Sequence, residues 1–190
     1  MNKILLFFVA SSLIDFSSYA QTKSPVQLSI GGEFGLPTGQ TTNVFGSAIG
    51  VSAKLELPVS ASSFNLVITT GISDFLAKYY YTGPSVTAIF ITPIEVGGKY
   101  YFSKIGYIEG DLGVASDNYT YNILDANGTA ATKKVTNAAF IYSPVIGFTA
   151  PTKKHKGTVD IGLRYEGRAE SGATVSQLAL RIAYRFGLKK

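Results

Sequence analysis

Between Val175 and Phe186 the side chains separate by parity, with Leu178, Leu180, Ile182, Tyr184 and Phe186 on one side of an extended chain and Ala179, Arg181, Ala183 and Arg185 on the other. A period of two specifies a β-strand. The apolar face ends in aromatic rings, and the opposite face carries guanidinium groups. A soluble sandwich would bury the first face and wet the second. A transmembrane barrel turns its apolar face to lipid and encloses the charged one.

Seven upstream segments repeat or approach this pattern. In the first, Val26, Leu28, Ile30, Phe34 and Leu36 alternate with Gln27, Ser29, Gly31, Glu33 and Gly35. The second, about Ala48 to Leu57, sets Ile49, Val51, Ala53, Leu55 and Leu57 against Gly50, Ser52, Lys54 and Glu56. A third places Phe64, Leu66, Ile68 and Ile72 opposite Asn65, Thr69, Gly71 and Ser73, with Val67 out of pattern. The fourth, about Ile91 to Phe102, carries Ile94, Val96, Tyr100 and Phe102 against Glu95, Gly97, Lys99 and Tyr101, and holds Pro93 near its start. In the fifth, Ile108, Leu112 and Val114 face away from Tyr107, Glu109, Asp111 and Gly113. The sixth, about Ala138 to Thr149, is apolar on both faces with Pro144 inside it, so its register stays open. The seventh opposes Val159, Ile161, Leu163 and Tyr165 to Asp160, Gly162, Arg164 and Glu166.

Eight strands of this kind have lengths near the roughly 9 to 11 residues that a tilted membrane strand needs. Their connections fall into a longer set, residues 37–47, 74–90, 116–137 and 167–174, and a shorter set, 58–63, 103–104 and 150–157. Long and short alternate along the chain. Outer-membrane barrels combine long extracellular loops with short periplasmic turns. The expected fold is therefore all-β, an eight-stranded antiparallel up-and-down transmembrane β-barrel with both ends on the periplasmic side.

The beginning of the chain supports export. Lys3 precedes an apolar stretch from Ile4 to Ile14, followed by Ser17, Ser18, Tyr19 and Ala20. That stretch is shorter than the roughly 20 residues of a membrane-spanning helix and reads as a signal peptide, residues 1–20, cut after Ala20. Residues 21–190 then form one domain. Lys3 and Asp15 leave with the signal, so the formal charge of +5 is retained, without a basic run longer than a pair. This gives no support to nucleic-acid binding. The chain has 0 cysteines, which excludes disulfides and thiolate metal sites.

Collected across strands, the inward faces hold Lys54, Lys99, Arg164, Arg181 and Arg185 together with Glu33, Glu56, Glu95, Glu109, Asp111, Asp160 and Glu166. Isolated buried charges cost several kcal/mol each, so such a set must pair or stay wet. The expectation is an ion-pair network filling the lumen.

The chain resembles the small outer-membrane β-barrel family, the OmpA/OmpX-type barrels, and especially the PorT-like versions of Bacteroidetes-like bacteria. The resembling segments are the glycine-rich Ile30-Gly31-Gly32-Glu33-Phe34-Gly35-Leu36-Pro37, the run Pro93-Ile94-Glu95-Val96-Gly97-Gly98-Lys99-Tyr100-Tyr101-Phe102, and the terminal Leu180-Arg181-Ile182-Ala183-Tyr184-Arg185-Phe186. They cover barrel class and not a function. The resemblance implies residence in the outer membrane and contact with its lipid. It also implies handling by the barrel assembly machinery, which in the best-known branch reads a final aromatic residue. Here Gly187, Leu188, Lys189 and Lys190 follow Phe186.

Catalytic chemistry finds little footing. The single histidine, His155, lies in a periplasmic turn, remote from outer-leaflet lipid. Glu109 and Asp111 share a face at the spacing any alternating acidic pair has, so they read as lumen charges. Asp117, Asp125 and Asn127 lack calcium-loop spacing. No cofactor or metal is expected, and no enzyme. Tyr79, Tyr80 and Tyr81 in the second long connection and Tyr119 and Tyr121 in the third suit a membrane interface or a loop contact surface. Tyr100, Tyr101, Phe102, Phe148, Tyr184 and Phe186 are expected to form a periplasmic girdle. A structural or surface-interaction role through the loops leads. A narrow channel for small solutes or ions and a soluble periplasmic lipocalin-like carrier are the alternatives, the former disfavoured because eight strands leave room only for side chains.

Overall fold

The computed structural model describes residues 25–59, 62–78, 86–124, 130–152, 157–170 and 173–188. The signal segment, His155, Asp125, Asn127 and the Tyr79, Tyr80, Tyr81 cluster lie outside these residues. The strands are β1 (Gln27–Thr38), β2 (Phe45–Pro58), β3 (Phe64–Ala77), β4 (Val86–Tyr101), β5 (Gly106–Leu124), β6 (Ala130–Pro151), β7 (Gly157–Glu170) and β8 (Ala173–Gly187). Each pairs antiparallel with the next, and β1 pairs with β8, so the sheet closes in the order β1 to β8. The all-β eight-stranded up-and-down barrel is borne out. Closure leaves the ladder without an edge through the body of the barrel, the one way a sheet avoids open backbone groups around its whole circumference.

The side chains are inverted relative to a soluble barrel. Large apolar residues such as Ile30, Phe34, Val51, Ile94, Val96, Leu112, Val114, Ile146, Leu180 and Ile182 point outward and are exposed. Lys54, Glu56, Glu95, Lys99, Glu109, Asp111, Asp160, Arg164, Glu166 and Arg181 are buried inside. Alternation in each strand does this, because a one-residue slip would exchange the two sets.

The register of β6, open in the sequence, is fixed by its neighbours. Pro144 faces Gly110 of β5, which sends Phe140, Pro144, Ile146 and Phe148 outward and Ile141, Ser143, Val145 and Thr149 inward. Pairing with β7 lapses across Ser143 and Pro144 and resumes in the same register at Val145↔Arg164. Proline has no N–H for the ladder, so the local gap follows from its chemistry. Val67, out of pattern in β3, is an inward residue and is buried.

Call the end holding Gln27 and Gly187 the terminal end and the other the distal end. The expected difference in loop length is corrected: at the distal end the strands themselves lengthen. The links there shrink to 39–44, 78–85, 125–129 and 171–172, because the strands on both sides of each run further than the sequence pattern marks, β5 and β6 the most at 19 and 22 residues. Past Val114 and Phe140 the outward residues become Ser116, Asn118, Thr132, Lys134 and Thr136, so this part of the hairpin stands beyond the apolar belt. Tyr119 and Tyr121 are accordingly strand residues, not loop residues.

At the terminal end, Phe64, Tyr100, Phe102, Phe148 and Tyr184 are exposed around the rim. Tyr101 does not join them. Its parity turns it inward, where its hydroxyl donates to Glu56 at 3.1 Å.

Candidate functional site

The lumen is packed in three levels. Near the terminal end Lys99 is enclosed by carboxylates, 2.8 Å from Glu56 and 3.0 Å from Asp160, with Glu109 at 3.8 Å. Its ammonium also lies 3.7 Å from the ring centroid of Tyr107, whose hydroxyl donates to Asp160 at 2.8 Å. Lys54 pairs with Glu109, and Arg185 pairs with Glu56 at 3.3 Å and donates to the Tyr101 hydroxyl. Room for the Tyr107 ring comes from two inward glycines. A Cβ on Gly147 would collide with its hydroxyl, and one on Gly162 would come within 2.9 Å of it.

The middle level turns on two arginines. Arg164 reaches Glu33 at 2.6 Å, Glu166 at 2.6 Å and Glu95 at 3.2 Å. Arg181 bridges to Glu33 and to Asp160, each at 3.6 Å, and donates to Ser52 at 2.8 Å and Ser29 at 3.1 Å. Among the described residues no cation lies within ion-pair distance of Asp111, which accepts from Thr69 at 3.4 Å. Multiple carboxylates per cation and hydroxyl donors around them are what keep buried charges tolerable.

The distal level was missed in the sequence, although period two carries straight to it. Continuing the inward parity of β7 past Glu166 gives Arg168 and Glu170, and that of β5 past Asp111 gives Asp117, Tyr119 and Tyr121. Arg168 is fully buried, 2.7 Å from Asp117 and 3.3 Å from Glu166. Its guanidinium lies 4.8 Å from the ring centroid of Phe75. Above it Phe45, Phe75, Ile89, Ile91, Ile141 and Tyr119 form an apolar cluster across the mouth, with Tyr121 packed against it. The Tyr119 ring stacks on Tyr121, and its hydroxyl donates to Glu170.

A short 3-10 turn, Gly39–Asn43, closes over one side of the mouth, and its Thr41 hydroxyl accepts from the Ser176 N–H at 3.1 Å. Gly39 opens the turn with φ at +57°, a conformation that favours glycine. Among the described residues no group of histidine, cysteine, aspartate and glutamate is arranged to hold a metal ion.

Every charged residue expected in the lumen lies there and, Asp111 apart, is ion-paired. The chemistry is that of a filled and capped interior. The exposed feature is the β5–β6 hairpin. Its two strands pair from Gly106↔Phe148 to Leu124↔Ala130. The flanking ladders stop earlier, at Val86↔Tyr121 on the β4 side and at Phe140↔Ala169 on the β7 side.

A closed meander that is apolar outside and ion-paired inside defines the fold of the small outer-membrane β-barrels. No protein-family model matches the chain, and no curated protein is recognisably similar in sequence. Solved structures do match in fold. Ail, the attachment invasion locus protein of Yersinia pestis, superposes with a TM-score of 0.61 at 12% identity, covering 86% of this chain and 99% of Ail. In its complex with the heparin analogue sucrose octasulfate, Ail gives 0.55 at 14% identity, with 86% and 99% covered. Neisserial surface protein A gives 0.53 at 11% identity, covering 86% of this chain and 97% of that one.

Proposed function

We propose that the protein is an integral outer-membrane β-barrel, exported through the periplasm, that presents the β5–β6 hairpin at the cell surface as an interaction element. The observation that carries this is the hairpin standing clear of an apolar belt while the lumen beneath it is filled. A filled lumen leaves recognition to the outside. Lipid covers the belt, the assembly machinery inserts the chain, and a surface ligand meets the hairpin. Ail, of like fold, forms a complex with the heparin analogue sucrose octasulfate, a precedent for ligand recognition by so small a barrel. No catalytic group, cofactor or metal enters this reading. Within the class, the glycine-rich β1 and the Pro93 to Phe102 segment favour the PorT-like branch.

The chain has 0 cysteines, so a single introduced thiol reports unambiguously. Thr132 is exposed on β6 near the hairpin tip. Thr132→Cys is expected to react with a membrane-impermeant maleimide on intact cells, in a protein that fractionates with the outer membrane and migrates faster unboiled. Labelling only after the outer membrane is permeabilised would reverse the orientation, and a soluble periplasmic protein without the gel shift would return the lipocalin-like alternative.

A further inference from the structure

Two carboxyl groups meet at the distal mouth. Asp117 of β5 is fully buried; the Arg168 guanidinium donates to its Oδ2 at 2.7 Å, but its Oδ1 finds no donor among the described residues. Glu170 of β7 stands within hydrogen-bonding reach of it. Two carboxylates in such contact repel unless a proton lies between them. The pair sits beyond the apolar belt, where the outward residues are Ser116, Asn118 and Thr136. Glu170 also ties the barrel to the hairpin where the backbone no longer does. The β6–β7 ladder ends at Phe140↔Ala169, and one residue further Glu170 accepts from the Tyr119 hydroxyl of β5 and, at 3.2 Å, from the Asn137 amide of β6. Asn137 is the direct cross-strand partner of Asp117.

We infer that Asp117 and Glu170 share one proton and form a pH-sensitive latch, closed while the proton is held and released when its loss sets two negative charges side by side at the foot of the hairpin. That this latch governs a surface element rests on the placement proposed above. Burial, opposed by the Arg168 charge and reinforced by the contact with Glu170, pushes the Asp117 carboxyl up to about 7. Burial acts to raise Glu170 as well, but hydrogen bonds from Asp117, Tyr119 and Asn137, with the Arg168 charge behind them, hold it below its ordinary value. Asp117 therefore carries the proton and Glu170 the charge. The folded state binds this proton more tightly than the unfolded chain does, so stability falls as pH rises from the ordinary carboxylate range through about 7, and the latch opens at the top of that window. The other titratable groups facing the pair are Tyr119 and Tyr121 on β5, Glu166 and Arg168 on β7 and, two inward positions further out on β6, Lys133. Among the described residues β2, β3, β4 and β8 cover the mouth with uncharged side chains, Phe45, Phe75, Ile89 and Val175 among them.

The test is a pH titration of the purified full-length barrel in detergent, with folding checked by the gel shift and two properties followed. A component of the infrared carboxylic-acid C=O band is expected to disappear with a midpoint at about pH 7, and Asp117→Asn should delete that component. A nitroxide on Thr132→Cys reads the hairpin: its mobile fraction is expected to rise about twofold across the same midpoint. In Asp117→Asn it should stay low throughout, because the amide donates to Glu170 with no proton to lose. Should Asp117→Asn fail the gel shift, Glu170→Gln decides. Its amide donates to the Asp117 carboxylate, so the midpoint should fall by about one pH unit, tenfold in proton affinity. A band that does not titrate near neutrality, or titrates unchanged in the variants, would overturn the shared proton. Titration without a change in nitroxide mobility would overturn the latch. Surface labelling of Thr132→Cys on cells separates the two readings: labelled but pH-blind protein fails this inference only, and unlabelled protein fails the surface placement itself.

Discussion

Leu180 and Ala179 are neighbours with opposite surroundings, Leu180 turned out to the belt and Ala179 buried inside. Leu180→Arg places a charge on the lipid face and is expected to cost roughly 2–4 kcal/mol near the bilayer midplane. Ala179→Ser adds a hydroxyl to an interior already rich in donors and acceptors, and should cost far less. Folding titrations in lipid vesicles compare the two, and equal losses would mean that the faces are exchanged. Inside, Arg168 and Asp117 form a buried pair at 2.7 Å. Removing one partner strands the other charge, so Arg168→Met alone should cost about 3–5 kcal/mol, whereas Arg168→Met combined with Asp117→Asn should recover much of that. A double-mutant cycle reads the coupling. Additive losses would mean that Arg168 is held by the Phe75 ring and not by its carboxylates.

At the scale of elements, the two longest strands are adjacent, and beyond Tyr121 and Phe140 they leave the ladders with β4 and β7. Excising residues 122–132 and joining β5 to β6 by a short turn removes mainly the hairpin's own hydrogen bonds and keeps Tyr121 in the cap. The shortened protein is expected to keep the faster unboiled migration and most of its unfolding midpoint. Loss of the shift would show that the hairpin is part of the barrel's closure. Strand number, face assignment and lumen charges were legible in the sequence because alternation is a local signal. The strand ends were not. Where the outward residues change from Val114 to Ser116 and Asn118 the contrast between faces fades, and a polar strand standing above a belt looks like a loop. The same lapse hid Arg168, Asp117 and the inward isoleucines Ile89 and Ile91. In β6 the apolar Phe140, Ile141 and Tyr142 masked parity because the strand borders lipid on one side and an apolar cap on the other.

As a whole the molecule is a barrel closed twice over, by ion pairs through its length and by the apolar cluster at its distal mouth. Current steps in planar bilayers are therefore expected to be absent, even at high salt. Steady conductance from gel-purified folded protein would revive the channel alternative and require the network to rearrange. Because the pairs are buried, raising ionic strength should also change stability little, unlike the response of surface pairs.

The seam between β1 and β8 has a consequence in time. Arg181 and Ser29 hydrogen-bond across 152 positions of the chain, and Arg164 finds Glu33 across 131. Until the first and last strands meet, both arginines lack Glu33 and Arg181 lacks Ser29, and the entropy of bringing the chain ends together comes before that reward. Ring closure thus completes the ion-pair network by bringing Glu33 to both arginines. A sheet one strand short of closing is a poor resting place in lipid, and folding should pass from open to shut with no populated half-barrel between.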